Sequence, residues 1–437
     1  MNNKGLVYNV TMGSYYPTFL EMYLNTDKVF DLNDLNYEEL STFFHEWIHF
    51  LQDLTTSFGC YNAYVFFEHL LSMGHKVMDM GVGEIVPPVQ IDNSKNVYTN
   101  YYLNKIGWGT CPSYIDFDCI IDCENIEVEI PQQYRSQDSP MKFPHCLVTT
   151  SNKEVFEFGA LQVMESMAHL CQDFLFHLPE NYHNAHPYLV ATKVANYYSP
   201  AFAENPLNLI ALCDVSLMCS VPGVQFVSYL ERLRRREIAL PKRPEEIYDF
   251  YLQNFNYLKS FTEIKNKARH HFKGILRDPN AFVHYHKWID NAYNLAYKLR
   301  YENPYFLLNM LRKGDLYQNE DFKMLYKSFG TPLIQNNKGE YAKVPLDSES
   351  KGWDVEFMQP IKHLQNILDG GQKSCLLKEW CKKSEVELLK MGASAETICR
   401  VDERCDKNPS LRSLDKVRCP FGFVWYATGL PIVKSDC

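Results

Sequence analysis

At 437 residues the chain is long enough for two or three packed units, and its 46% hydrophobic and 22% charged content excludes bulk disorder. A formal charge of −9 and a pI near 5.9 argue against nucleic-acid binding as the main activity. The start, MNNKGLVYNV, lacks the basic and apolar run of a secretion signal, and the most membrane-like stretch, Leu207 to Leu230, is interrupted by Asp214, Pro222 and Gly223.

Residues 5–25, rich in Val, Tyr, Thr and Phe, predict a strand or hairpin. Asn36, with Glu39 three residues on, matches a capping box. Leu40, Phe43, Phe44, Trp47, Ile48, Leu51 and Leu54 then recur at helical spacing, predicting one long, buried helix that Gly59 closes. A second helix is expected over about 61–80. Residues 96–157 change texture: NVYTNYYL, CIIDCENIEVEI and CLVTTSNKEVFEF have strand composition, with a hairpin turn at Ser151-Asn152-Lys153. Helix resumes at Phe158, where Leu161, Met164, Ala168 and Cys171 share a stripe. It continues to about 312, broken at Pro187, Pro200, Pro206, Pro222, Pro241 and Pro304. Residues 313–352 are polar, with a hairpin expected around LIQNNKGEYAKVP, and mark the best boundary. The remainder predicts two helices and a strand-like FGFVWYATGLPIV, and carries six of the fourteen Cys. Scattered Cys without a secretion signal point to free thiols and a cytoplasmic location without membrane contact.

His45-Glu46-Trp47-Ile48-His49 reads HExxH, midway along the apolar helix. Residues four apart share one helical face, so both imidazoles can reach one metal ion. Glu46 is placed to hydrogen-bond a water on that ion and take its proton. Zinc lowers the pKa of such a water from about 15.7 to about 7. The bland account is two histidines at the edge of an ordinary amphipathic helix. The preceding strand and the apolar residues on the other faces weigh against it.

Through these residues the segment resembles the zincin metallopeptidases, whose motif it matches at His45, Glu46 and His49. The close match spans Asn36 to Thr56, with looser agreement in element order to about Leu175. The resemblance implies one Zn2+ per chain held by the two histidines, Glu46 as general base, and hydrolysis of a protein or peptide substrate. It implies a mostly helical α+β fold: a zincin-like core over 1–200, a helical extension over 201–312, a polar linker or hairpin over 313–352, and a Cys-containing region over 353–437. By analogy, the role is that of a selective intracellular protease of a bacterial stress or defence type.

Metzincins continue the motif with Gly and then His, where this chain has Gln52 and Thr55, so that subclass is excluded. Gluzincins take a Glu from a later helix, and Glu68 and Glu165 compete for that place. Glu165 is preferred. It shares the stripe of Leu161 and Ala168, where an unmatched carboxylate is costly, and small Ala168 allows close approach to the motif helix. Glu68 is flanked by Phe67 and Leu71. His169 is a further candidate ligand or partner of one, with a satisfied core histidine the plainer account. Gln52 and Asp53 are candidates to orient the imidazoles, or else solvated polar groups. An oxyanion-stabilising Tyr or His is also implied, but 29 Tyr and 14 His leave no way to choose.

Other features carry less. Cys375 and Cys381, Cys399 and Cys405, and Cys213 and Cys219 each have five residues between them. None is the CxxC of structural zinc knuckles, so buried free thiols are the expectation. His270-His271, and His284 with His286, are wrongly spaced to share a metal on a helix. The basic runs ERLRRRE (231–237) and KNKARHHFKG (265–274) read as solvated helix faces. Two rivals stand beside the peptidase. One is a di-iron carboxylate enzyme using Glu46-x-x-His49, although Glu165 to His169 is one residue too long for the second half-motif. The other is a helical binding protein with an inert HExxH.

Overall fold

The opening hairpin forms as β1 (Gly13–Tyr16) and β2 (Glu21–Leu24), paired antiparallel. The earlier part of that expectation, 5–11, lies outside the described residues. The computed structural model describes 12–434 apart from 92–94, 111–114, 136–138, 180–182, 345–356, 373 and 395. The capping box is present: Glu39 N–H donates to Asn36 Oδ1 and Asn36 N–H to Glu39 Oε2, both at 2.9 Å. It starts α1 (Tyr37–Thr55), in which every side chain from Leu40 to Thr55 is buried. A helix apolar on most faces has to run through the interior, and this one does.

The helix does not continue to Gly59. Thr56 is extended (φ −114, ψ 155), and its hydroxyl donates to Gln52 O at 2.7 Å while accepting the Gly59 N–H at 3.1 Å. One threonine thus ends α1 and caps α2 (Ser57–Asp79). Gly59 is a point of close approach: a Cβ there would lie 2.4 Å from Asp53 Cα.

After the short strand β3 (Glu84–Ile85), the segment read as strand, NVYTNYYL, is instead part of α3 (Lys95–Trp108). Its β-rich composition is overridden by contacts at helical intervals. Val97, Asn104 and Gly107 are buried, Asn100 Nδ2 donates to Glu68 Oε2 at 2.8 Å, and Asn104 Nδ2 donates to Asn62 Oδ1 at 3.0 Å. Tertiary packing against α2 decides the conformation. The strand reading holds further on, where β4 (Ile120–Glu129), β5 (Lys142–Thr150) and β6 (Val155–Glu157) form an antiparallel sheet in that order. Lys153 takes the positive φ of the hairpin turn.

Helices α4 (Ala160–Phe176), α5 (Val190–Tyr198), α6 (Pro200–Ala203), α7 (Pro206–Ser216) and α8 (Pro222–Arg234) follow, the last three opened by Pro in their first turn. Then come α9 (Glu245–Asn254), α10 (Tyr257–Ile275), α11 (Val283–Glu302), α12 (Phe306–Arg312) and α13 (Glu320–Phe329). The expected hairpin forms as β7 (Leu333–Gln335) and β8 (Tyr341–Ala342). Strand β7 pairs in parallel with β2, giving the sheet order β1-β2-β7-β8.

The last part holds α14 (Met358–Leu368), α15 (Lys378–Lys390), α16 (Arg404–Lys407) and α17 (Pro420–Thr428). The strand-like FGFVWYAT is thus α17. Pro420 at its first position and Gly429, at φ 70, just past its end are helix punctuation that outweighs aromatic content. Only β9 (Ile432–Val433) is strand, paired in parallel with β3. Helix makes up about 58% of the structure, with small sheets: an α+β, mostly helical fold. Among the described residues no helix is long and apolar enough to cross a membrane.

Candidate metal centre

Helix α4 packs against α1 through the stripe anticipated from its sequence, with Ala168 fully buried. The crossing brings Glu165 onto the HExxH face. His45 Nε2 lies 3.4 Å from Glu165 Oε2, His49 Nε2 lies 3.4 Å from Glu165 Oε1, and the two Nε2 atoms are 3.3 Å apart. Donors each about 2.0–2.1 Å from a tetrahedral zinc ion stand about 3.4 Å from one another, so this triangle has the size such an ion needs. The buried group His45, His49 and Glu165 can therefore hold a metal ion. Among the described residues it is the only set of three or more His, Cys, Asp or Glu donors lying mutually within 4.8 Å. Neither Glu46 nor, among the described residues, any other second carboxylate joins the triangle.

Both imidazoles are oriented by glutamines. His45 Nδ1 donates to Gln172 Oε1 at 3.1 Å and His49 Nδ1 to Gln52 Oε1 at 2.8 Å. The amide orientations follow from the other ends. Gln172 Nε2 donates to Ser41 O and Oγ, and Gln52 Nε2 donates to Met164 O. With Nδ1 donating to a glutamine, each Nε2 faces the triangle, where a bound metal would take the place of any proton. Gln52→Ala and Gln172→Ala are each expected to weaken zinc binding by about 10–100-fold, read by chelator competition. Unchanged affinity in both would mean that packing alone orients the rings.

The donors are only 4–6% exposed. Burial opposes the charge on Glu165, but His49 and His45 outweigh it and hold the carboxyl well below its usual range. Burial likewise opposes a charge on His49, yet the Glu165 carboxylate holds this imidazole up to about 9. Glu46 behaves differently: burial pushes its carboxyl up, against the pull of His45 and His49. Strand β1 lies directly over it. A Cβ on Gly13 would stand 2.5 Å from Thr42 Cγ2 and 3.2 Å from Glu46 Oε1. Gly13→Ala is expected to cost about 1–3 kcal/mol of stability in urea unfolding. A neutral result would show that β1 can lift off α1 freely.

Asp53 does not touch the imidazoles. It accepts from Tyr15 Oη at 2.8 Å and from Thr18 N–H at 3.2 Å, with burial pushing its carboxyl up to about 6. The Tyr15 ring stacks on His49 at 6.2 Å between centroids. Glu68 is not part of the triangle; it accepts from Tyr64 Oη and Asn100 Nδ2, the latter tying α2 to α3. His169 lies one turn beyond Glu165, its ring 5.1 Å from that of His183.

Sequence reasoning did not single out Gln172, Tyr15, Gly13, His183 or Tyr188. Gln172 had a signal, because it lies seven residues after Glu165 on the same helical face. The His183 and Tyr188 rings, stacked on each other at 4.1 Å, lie 6.0 and 5.9 Å from the ring of His45. Burial and the neighbouring His45 hold His183 down to about 3, and burial holds His169 down to about 4, so both are neutral. Nothing in HNAHPYL marks that proximity. No family model, no curated protein and no solved structure matches this chain.

Proposed function

We propose that this protein is a zinc-dependent peptidase with a gluzincin-like centre, in which His45, His49 and Glu165 hold one Zn2+ and Glu46 is the general base. The observation that carries the reading is the donor triangle of 3.3–3.4 Å beside a buried carboxylate that stays outside it. When bound there, Zn2+ supplies Lewis acidity toward a scissile carbonyl and a water. Glu46 takes the proton of the attacking water and passes it to the leaving amide nitrogen, a task favoured by a carboxyl that burial has made more basic. His183 and Tyr188, beside His45, offer neutral donors to the oxygen that gains charge. Because the donors are 4–6% exposed, a polypeptide reaches them only if groups covering the centre yield. That requirement favours one chosen protein substrate over general digestion.

The deciding experiment is the metal content of the purified protein beside His49→Ala and Glu165→Ala. One zinc that disappears in both variants supports the centre. Zinc lost with His49→Ala but kept with Glu165→Ala would remove Glu165 as a ligand. No metal that depends on His49, even after zinc is added, would overturn the reading.

A further inference from the structure

Cys375, Cys381, Cys399, Cys405 and Cys419 are free thiols that come from separate segments of the C-terminal region. The fold gathers them. Cys375 N–H donates to Cys405 O at 2.6 Å. The Arg412 side chain, 4% exposed, donates to Cys399 Sγ. The Arg412 backbone lies against Gly422, whose N–H donates to Cys419 Sγ at 3.3 Å. The Cys399 and Cys419 thiols hydrogen-bond to each other, and Cys381 N–H donates at 2.8 Å to the carbonyl of Leu377, two residues after Cys375.

A second, independent observation is how few apolar side chains of this stretch are buried. Helix α15 buries none of its residues. Between 375 and 419 the buried hydrophobic side chains among the described residues are Leu377, Ile398 and three of the cysteines themselves. Arg404 and Arg412 pair with Asp402 and Asp415, and 409–414 packs on α17; metal–thiolate bonds would add a cross-link to this sparse apolar packing. The Cys399 contact and the Gly422 N–H at the start of α17 hold the Cys419 thiol below its ordinary value, while burial pushes Cys375 and Cys381 up.

We propose that these five cysteines form a second metal centre, in which four of the thiolates hold a structural zinc ion that staples the C-terminal region. Binding replaces the thiol protons by metal–sulfur bonds, so no oxidant or reductant enters. No three of the sulfurs lie mutually within 4.8 Å. The Cys375 and Cys405 backbones are hydrogen-bonded, and binding one ion requires the side chains to rotate about their single torsions to bring four sulfurs together. The two C-x5-C spacings carry no zinc-knuckle signature, which is why sequence spacing left these thiols as ordinary buried groups.

The test uses the full-length His49→Ala protein, so that the histidine centre cannot contribute. About one zinc per chain is expected to remain. Replacing it with Co2+ should give thiolate-to-cobalt charge-transfer absorption in the near ultraviolet, which nitrogen and oxygen ligands cannot produce. The double variant Cys381→Ser, Cys399→Ser should lose that zinc and unfold at a lower temperature, while keeping the zinc that depends on His49. If the cysteine variant fails to fold, the cobalt spectrum of His49→Ala decides alone. A His49→Ala protein without metal overturns the proposal, whether its thiols titrate as free or as disulfides, as does retained cobalt without thiolate absorption. Metal that is indifferent to His49→Ala but shows thiolate absorption would uphold this centre and overturn the peptidase reading.

Discussion

Glu46→Gln is expected to keep its zinc and its fold while losing peptide hydrolysis by a factor of about 10² to 10⁴. The change is isosteric and removes only the ability to accept a proton. Glu46 stands outside the donor triangle, so the metal has no reason to leave. Its surroundings are those of a working base: it is 4% exposed, and burial raises its affinity for a proton while His45 and His49 keep the charged form within reach. The measurement is a mass-spectrometric comparison of cleaved proteins in cells expressing the parent or the variant, with metal analysis of both. Cleavage products present with the parent and absent with a zinc-loaded Glu46→Gln protein support the mechanism. The same products from both proteins would remove Glu46 as the base.

The HExxH triangle was legible because both of its determinants are local. The i, i+4 spacing fixes His45 and His49 on one face, and the apolar stripe of 158–171 fixes Glu165 on the side of its helix that turns inward. What could not be read depends on the third dimension. Helix α3 looked like strand because Val97 and its Tyr neighbours favour sheets, and only its packing on α2 reverses that preference. Helix α17 carried its own correction in Pro420 and Gly429, which aromatic content masked. Tyr15, from the hairpin, and His183 and Tyr188, from the segment before α5, reach the centre across long stretches of chain. No periodicity encodes that kind of meeting. Asp53 shows the same limit, since its polarity within a buried helix was plain but its partners, Tyr15 and Thr18, belong to another element.

Arg300→Met is expected to destabilise the protein by about 3–5 kcal/mol, the cost of leaving a buried charge without its partner. Arg300 on α11 is 2% exposed and Asp214 on α7 is fully buried. The guanidinium donates to both carboxylate oxygens at 2.6 and 2.7 Å, and Tyr248 Oη on α9 adds a third hydrogen bond at 2.8 Å. The same guanidinium donates from Nε to Thr55 O and from Nη2 to Thr55 Oγ1. Thr55 O is among the last carbonyls of α1, which the helix itself leaves without partners. The pair therefore anchors the end of the helix that carries His45 and His49. Urea unfolding of Arg300→Met, Asp214→Leu and the double variant separates the two contributions. The double variant should recover most of the loss, because an apolar pair leaves no unmatched charge in the core. Zinc affinity should fall in Arg300→Met and stay low in the double variant, because both lack the donors to Thr55 O and Oγ1 that hold the end of α1. A loss under about 1 kcal/mol in Arg300→Met would mean that water reaches the pair, and that the end of α1 is held by its apolar faces instead.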